Sequence, residues 1–230
     1  MDIQILQLID GARQARGLTV VIDVFRAFSV ECYAVAAGAR EILPVGGVDE
    51  ALALRTSHPG ALLVGERGGR IIPGFDCGNS PSGLAQFDLR GRTVVHTTSA
   101  GTQGVANAVH ADELVGGALV NARATAEYIR SRDPKLVSLV CMGLAGKEPT
   151  DEDTLCAEYL AALLRGEDPD ISQRIARLAE TSGRKFFDSA QQDAFPTADF
   201  GLCTQLNRFP FALSIRREAD GTRVHKIELG

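Results

Sequence analysis

Thr19-Val20-Val21-Ile22-Asp23-Val24-Phe25-Arg26 runs four β-favouring residues without a break into one acid, and an arginine follows three positions later. Residues 27–37 are then helix formers, apolar nearly all round, and Gly38 is a natural stop. A short continuous apolar run ahead of a buried helix is the pattern of a strand covered on both faces in a parallel sheet. Asp23 then stands at the strand's carboxyl end, and in open α/β sheets the ligand crevice lies outside those ends. An Asp in that place also serves as a helix cap, so the run alone leaves both roles open. Arg26 and Ser29 fall near the helix start, where free N–H groups and partial positive charge receive an anion.

The arrangement recurs further along. Ala61-Leu62-Leu63-Val64 runs into Gly65-Glu66-Arg67-Gly68-Gly69-Arg70, an acid and a cation in a glycine-rich loop that lets backbone approach a ligand closely. A plain hairpin turn would have the same Gly-Gly. Thr93-Val94-Val95-His96 leads into Thr97-Thr98-Ser99-Ala100-Gly101-Thr102-Gln103-Gly104, whose hydroxyls and glycines form either a cradle for phosphate or sulfonate oxygens or a capped turn. It lacks the lysine of the G-x-x-x-x-G-K-[ST] nucleotide loop. His96 reads as a strand end with its ring hydrogen-bonded. Leu136-Val137-Ser138-Leu139-Val140-Cys141 is another buried strand, and Cys141 reads as core because no basic partner lies near it in sequence. Asn79-Ser80-Pro81 opens a helix, with Ser80 as N-cap and Pro81 at the first helical position, and leaves Asp76 and Asn79 without an assigned role.

Three acids, Asp151, Glu152 and Asp153, start the helix that follows residue 150, in keeping with the helix dipole. Positions 151, 155, 158 and 162 share one flank, which sets Glu158 beside Leu155 and Ala162. A carboxylate on an apolar stripe needs a cation, so Asp151 or Asp153 with Glu158 are either metal ligands or members of a buried ion pair. The remaining pattern predicts an opening strand over 1–6, a polar connection over 10–17 and a strand at 41–45. It adds a helix at 49–55, an edge strand at 113–115, helices at 121–131 and 171–181, and short helical pieces at 186–192 and 197–203. Strands at 211–215 and 222–227 join through Asp220-Gly221 as a hairpin.

With 230 residues, 45% of them hydrophobic and 23% charged, the chain suits one globular α/β domain over residues 1–230. The net charge of −5, with no cluster of Lys and Arg, argues against nucleic acid as a partner. The five cysteines lack C-x-x-C spacing and read as reduced core residues of a cytoplasmic protein. No signal peptide is visible, and no apolar run approaches the roughly 20 residues of a membrane span. These totals leave open whether the chain forms a homo-oligomer.

In a largely parallel sheet the strand ends at Asp23, Glu66, Thr97 and Cys141 converge on one rim. Carboxylates with Mg²⁺, and arginines beside an anion cradle, are what phosphoryl transfer needs, which points to a small anionic phosphorylated substrate. The residues also carry a resemblance. Val21-Ile22-Asp23-Val24-Phe25-Arg26-Ala27, Gly65-Glu66-Arg67-Gly68-Gly69, Gly74-Phe75-Asp76-Cys77-Gly78-Asn79-Ser80-Pro81 and Thr97-Thr98-Ser99-Ala100-Gly101-Thr102 resemble, in order, the signature blocks of the 2-phosphosulfolactate phosphatase family. Cys141-Met142-Gly143 and the helix carrying Asp151-Glu152-Asp153 and Cys156-Ala157-Glu158 are similar to its later blocks, so the likeness runs from about Val20 to Ile215.

The resemblance implies a three-layer α/β/α fold with a mixed, largely parallel central sheet. It also implies a Mg²⁺-dependent phosphatase that hydrolyses (2R)-2-phospho-3-sulfolactate to 3-sulfolactate and phosphate, on a route to coenzyme M. On that expectation Asp23 and Glu66, with Asp153 or Glu158, hold Mg²⁺, and Arg26 and Arg67 grip the phosphate and the second anionic group. Ser29, Asn79, Thr97, Thr98, Ser99 and Gly101 line the substrate. A competing version makes Asp23 a nucleophile, but Phe25 stands where the Asp-x-Asp of haloacid-dehalogenase-type phosphatases has its second acid. Another phospho-hydroxy acid as substrate, a non-catalytic binder of a phosphorylated metabolite and a structural α/β subunit are the alternatives.

Overall fold

Leu18–Ile22 forms strand β2, buried at all five positions, between two parallel neighbours, Leu136–Cys141 (β8) and Glu113–Gly117 (β7), in the computed structural model, which describes residues 1–229. Asp2–Gln7 (β1) extends this parallel set beyond β8. A second parallel set holds Glu41–Pro44 (β3), Thr93–Thr97 (β6) and Leu62–Arg67 (β4), with Arg70–Ile71 (β5) turning back on β4. The hairpin Phe211–Glu218 (β9) and Gly221–Glu228 (β10) joins the two sets, giving one sheet in the order β1-β8-β2-β7-β9-β10-β3-β6-β4-β5. The result is the expected α/β fold with a mixed, mostly parallel sheet and helices around it.

The route to a common rim differs from the expected one. Every junction from β7 through β9 and β10 to β3 is antiparallel, so the two parallel sets run in opposite directions. In a flat sheet their carboxyl ends would lie on opposite edges. Here β10 meets β3 through one residue pair, Val224 with Ile42, and the crossover helices pack across the join. Ala27–Ala36 (α2), which leaves β2, packs on β7 and also on β3. Gly101–Asn107 (α5), which leaves β6, packs on β2 and on Leu8–Gln14 (α1). Each set therefore takes its cover partly from the other, and the ends of β2, β4 and β6 meet.

Other differences have local causes. The connection after β1 is helical, because Gly11 and Ala12 are buried despite the polar residues around them. Strand β7 is interior, since β9 arrives from almost the far end of the chain to pair with it. Helix α5 starts at Gly101, inside the expected cradle. Val48–Ser57 (α3), Pro81–Leu84 (α4), Ala122–Arg132 (α6), Asp151–Leu164 (α7), Ser172–Arg177 (α8) and Thr197–Cys203 (α9) complete the helices. Ser80 caps α4 as expected, accepting the Gly83 N–H at 3.0 Å. Between α8 and α9, the 3₁₀ turns at Leu178–Glu180, Arg184–Phe187 and Ser189–Gln191 build a cap whose Phe186 and α9 residue Phe200 pack on Phe25, with ring centroids 5.0 and 5.8 Å away. All five cysteines are free and buried, and no helix is long and apolar enough to cross a membrane among the described residues.

Candidate active site

Where the strand ends meet, a cleft of about 350 Å³ is lined by acids from three elements: Asp23 after β2, Glu66 at the end of β4 and Glu152 in the first turn of α7. Asp23 is 4% exposed, and its Oδ1 accepts the Ala27 N–H at 3.1 Å. Burial pushes the Asp23 carboxyl from an ordinary 3.8 up to about 6; Glu66 and Glu152 add to the rise, and the N–H groups of Ala27 and Gly101 oppose it. Gly101 is required where it stands, because a Cβ there would lie 2.5 Å from that of Ala27 and 2.9 Å from Asp23 Oδ2. Glu66 is clamped by backbone: Oε1 accepts Ser99 N–H and Oε2 accepts Gly69 N–H, both at 2.7 Å. Glu152 is 2% exposed, and its Oε2 has no hydrogen-bond partner.

Two cations border the same cleft, and they differ. Arg26 is already engaged, through Nη1 to Asp199 Oδ2 at 2.7 Å and Nη2 to the Ala194 carbonyl at 2.8 Å, and its guanidinium lies over the Phe195 ring. Lys185, from the cap, has no carboxylate partner among the described residues; its ammonium lies 5.3 Å from the Phe195 ring centroid and 5.7 Å from that of Phe186. Phe25, Leu144 and Phe195 supply apolar wall, and Asn79 and Ser99 polar wall.

A family model described as 2-phosphosulpholactate phosphatase matches residues 3–211. The chain belongs to that family. A relative from Bacillus subtilis (strain 168), named probable 2-phosphosulfolactate phosphatase, is 32% identical over 214 residues, covering 91% of this chain and 92% of the relative. A protein of the same name from Caldanaerobacter subterraneus is 39% identical over 204 residues, covering 83% and 84%. One from Thermoplasma acidophilum is 34% identical over 163 residues, covering 71% and 72%.

In this member of the 2-phosphosulpholactate phosphatase family, the structure brings Asp23, Arg26, Glu66, Asn79 and Ser99 of the expected site residues to the cleft. It sends others elsewhere. Arg67 follows Glu66 on a strand, where successive side chains take opposite faces, so with Glu66 in the cleft Arg67 points away. There it donates to the carbonyls of Glu66 and Gly46 and to Thr97 Oγ1, which accounts for Thr97 as well. Thr98 is spent on the start of α5, where its hydroxyl accepts the Thr102 N–H while the Thr102 hydroxyl accepts its own. The expected cradle is thus mainly a capped turn, and only Ser99 and Ala100 of it face the cleft. Ser29 donates to the Val24 carbonyl from a fully buried position.

Glu158 is corrected outright. Its side chain is 44% exposed and pairs with Arg174 of α8 at 2.5 Å, on the outside of α7. It lies at the margin of the apolar flank, where Leu155 and Ala162 turn inward and the carboxylate reaches solvent. Asp153 is buried, but its oxygens accept the N–H groups of Val24 and Gly143, each at 2.8 Å, so it ties the ends of β2 and β8 together behind the cleft. Burial, followed by the charges of Glu152 and Asp23, raises its carboxyl well above the ordinary range. Sequence reasoning passed over Glu152 as one of three capping acids, and it missed Lys185 and Phe195, whose only sequence signal is a positive charge beside aromatics in a region without strong periodicity. Cys141 is core, its thiol pushed far up by burial.

Among the described residues, no three His, Cys, Asp or Glu side chains stand close enough to hold one metal ion together. The donor chemistry still suits a hard cation. Glu152 carries an orphaned buried oxygen, and burial, with the like charges of Glu66 and Glu152 added, makes Asp23 hold its proton abnormally tightly. Mg²⁺ takes one or two carboxylates and keeps several waters, which such a set of oxygens can supply.

Proposed function

We propose that the chain is a Mg²⁺-dependent phosphatase that hydrolyses 2-phospho-3-sulfolactate to 3-sulfolactate and phosphate. The observation that carries the reading is a cleft in which three buried carboxylates, one with an orphaned oxygen, face a lysine without an acidic partner among the described residues. Membership of the family supports the substrate class. A phosphate ester that also bears a sulfonate and a carboxylate is repelled by Asp23, Glu66 and Glu152 unless a cation stands between them. One or two of these carboxylates would ligate Mg²⁺, and the rest would reach it only through the waters that Mg²⁺ keeps. Mg²⁺ at these residues would supply the positive charge that offsets the acids and the Lewis acidity that phosphoryl transfer to water calls for.

The rest falls to the chain's own groups. Lys185 receives the anionic end of the substrate away from the acids, with its ammonium steadied by the Phe186 and Phe195 rings. The amides of Gly69 and Ser99 keep Glu66 aimed at the cleft. Phe25, Leu144 and Phe195 exclude bulk water, which strengthens each charge interaction inside. Five free cysteines suit a reducing compartment such as the cytoplasm, and the place on a route to coenzyme M rests on the sequence resemblance.

The test is phosphate release from a panel of phospho-hydroxy acids, with Mg²⁺ and with the metal chelated. Turnover confined to metal-loaded protein and highest with 2-phospho-3-sulfolactate is the expected result. Equal turnover after chelation would remove the metal from the proposal, and a preference for a substrate without the sulfonate would change its substrate.

A further inference from the structure

Glu31 lies on α2, 1% exposed, and one of its oxygens, Oε2, has no hydrogen-bond partner. The other, Oε1, is 2.9 Å from Nδ1 of His96, which is fully buried on β6. The second ring nitrogen of His96, Nε2, is 3.1 Å from Oδ1 of Asn79, and Asn79 lines the cleft. A file of three polar side chains, from a helix, a strand and a loop, thus runs out of the core and ends at the cleft wall. Neither Glu31 nor His96 lines the cleft itself.

We propose that Glu31 and His96 are positioning residues that hold the Asn79 amide with its oxygen towards His96 and its two N–H groups towards the cleft, which makes Asn79 a donor to an anionic oxygen of the substrate. The argument is one of proton bookkeeping. An unpaired charge so deeply buried is strongly disfavoured, whereas a pair that is neutral overall is tolerated. A neutral Glu31–His96 pair in which every buried hydrogen finds an acceptor can be written in two ways. In one, a carboxylate accepts from Nδ1–H of an imidazolium whose Nε2 is also protonated. In the other, a carboxylic acid donates its O–H to Nδ1 of an imidazole that carries its hydrogen on Nε2. Both put a hydrogen on Nε2, wherever the shared proton rests.

A protonated Nε2 donates, and only the oxygen of Asn79 can accept. The amide nitrogen is then turned away from His96, with hydrogens to offer. An imidazole protonated at Nδ1 alone, beside a carboxylate or beside a neutral acid whose other oxygen holds the proton, would reverse the amide and present its oxygen to the cleft. With a carboxylate this would bury a net negative charge, and with a neutral acid it would bury an O–H without an acceptor, because His96 is the sole hydrogen-bond partner of the Glu31 side chain among the described residues. Facing three carboxylates across the cleft, an amide that donates is an asset for binding an anion, and one that accepts is a liability.

The inference rests on the proposed phosphatase reading only in that an anion enters the cleft. Its test is ¹⁵N NMR of the His96 ring in the full-length protein, together with titration by inorganic phosphate in the presence of Mg²⁺. The expected spectrum has Nε2 in the protonated class in wild type and in Glu31→Gln, whose amide N–H can donate to Nδ1 and leave the hydrogen on Nε2. An unprotonated, pyridine-type Nε2 in wild type overturns the proposal, and that reading stands alone should Glu31→Gln fail to fold. Phosphate should shift the Asn79 side-chain ¹⁵N–H signals, and Asn79→Ala and Asn79→Asp should each bind it about 10-fold or more weakly. Asp keeps an acceptor for His96 and so preserves the tie to the loop, which a purely structural Asn79 would need. Wild-type affinity in Asn79→Ala, or no phosphate binding by the wild type, also overturns the proposal. A protein that meets these expectations yet releases no phosphate from 2-phospho-3-sulfolactate would uphold Asn79 as an anion donor and refute the activity instead.

Discussion

Arg26 and Asp23 are three residues apart and border one cleft, yet their surroundings are opposites. Arg26, 3% exposed, and Asp199, fully buried, satisfy each other, and the second oxygen of Asp199 accepts from the Ser82 amide at 2.9 Å and hydroxyl at 2.6 Å. The knot fastens the end of β2 to α9 and to the start of α4. Around Asp23 nothing is balanced, since Glu66 and Glu152 add like charge and one Glu152 oxygen is orphaned. A buried charge with every partner in place is a fastening, whereas buried charges of one sign left together mark a functional site, and the proposed cation would balance them.

The widest gap between the two regions should appear in stability. Arg26→Met leaves the Asp199 carboxylate buried without its cation, and such losses cost about 3–5 kcal/mol. Urea unfolding should show a drop of that order, largely recovered when Asp199 is also made apolar. A variant as stable as wild type but inactive would move Arg26 from the fastening to the chemistry and erase the contrast.

Asp23→Asn should do the reverse, lowering turnover by about 10²–10³-fold, as for the loss of a group that stabilises transition-state charge, without loss of the fold. It should also remove a pH dependence. The folded protein binds the Asp23 proton more tightly than the unfolded chain, with about 6 against 3.8, so metal-free stability carries no penalty from this group at low pH and loses ground as pH rises from about 4 through 6. A shift of that size corresponds to about 3 kcal/mol at most. The wild type, compared with Asp23→Asn, should therefore be relatively less stable at pH 7 than at pH 4, and Mg²⁺ should restore it. A difference between the two proteins that is flat in pH would contradict the uncompensated burial of Asp23.

Much of this was legible before any coordinates. The strands ending at Asp23, Glu66, Thr97 and Cys141 stand out because buried parallel strands read as continuous apolar runs, and the Ser80 cap follows from Ser-Pro chemistry. The opposite directions of the two strand sets could not be read, because they depend on β9 and β10 pairing with strands far away in sequence, and periodicity carries no information on partners. The site was legible in its strand-end acids and in Arg26, and illegible in Glu152 and Lys185. Alternation along β4 sends Arg67 to the face opposite Glu66, and Lys185 lies in a cap built from 3₁₀ turns that leave no regular pattern in the sequence.

Lys185 offers the next sharpening, as the cation that Arg26 is not. Lys185→Met keeps much of the packing against Phe186 and Phe195 while removing the charge. A charge-assisted hydrogen bond contributes about 1.5–3 kcal/mol, so KM for 2-phospho-3-sulfolactate should rise roughly 10-fold or more, with kcat changed much less and thermal stability preserved. An unchanged KM would leave the anionic end of the substrate without its receptor and return Arg26 to consideration.

The smallest effect belongs to Glu158, and its smallness is the point. Glu152 and Glu158 sit on one helix, but Glu152 is 2% exposed and turned into the cleft, whereas the Glu158 side chain is 44% exposed and its partner Arg174 is 52% exposed. Water and salt screen such a surface pair, whose net contribution is about 0–1 kcal/mol. Glu158→Gln should therefore leave turnover and the proposed Mg²⁺ dependence unchanged and move the urea midpoint barely, with the residual shift vanishing at high salt. Should Glu158→Gln instead raise the Mg²⁺ concentration needed for half-maximal activity, this flank of α7 would have to turn inward when the ion binds. The acid that matters would then be the one that helical spacing first suggested, and the boundary between balanced and unbalanced charge would run through α7 itself.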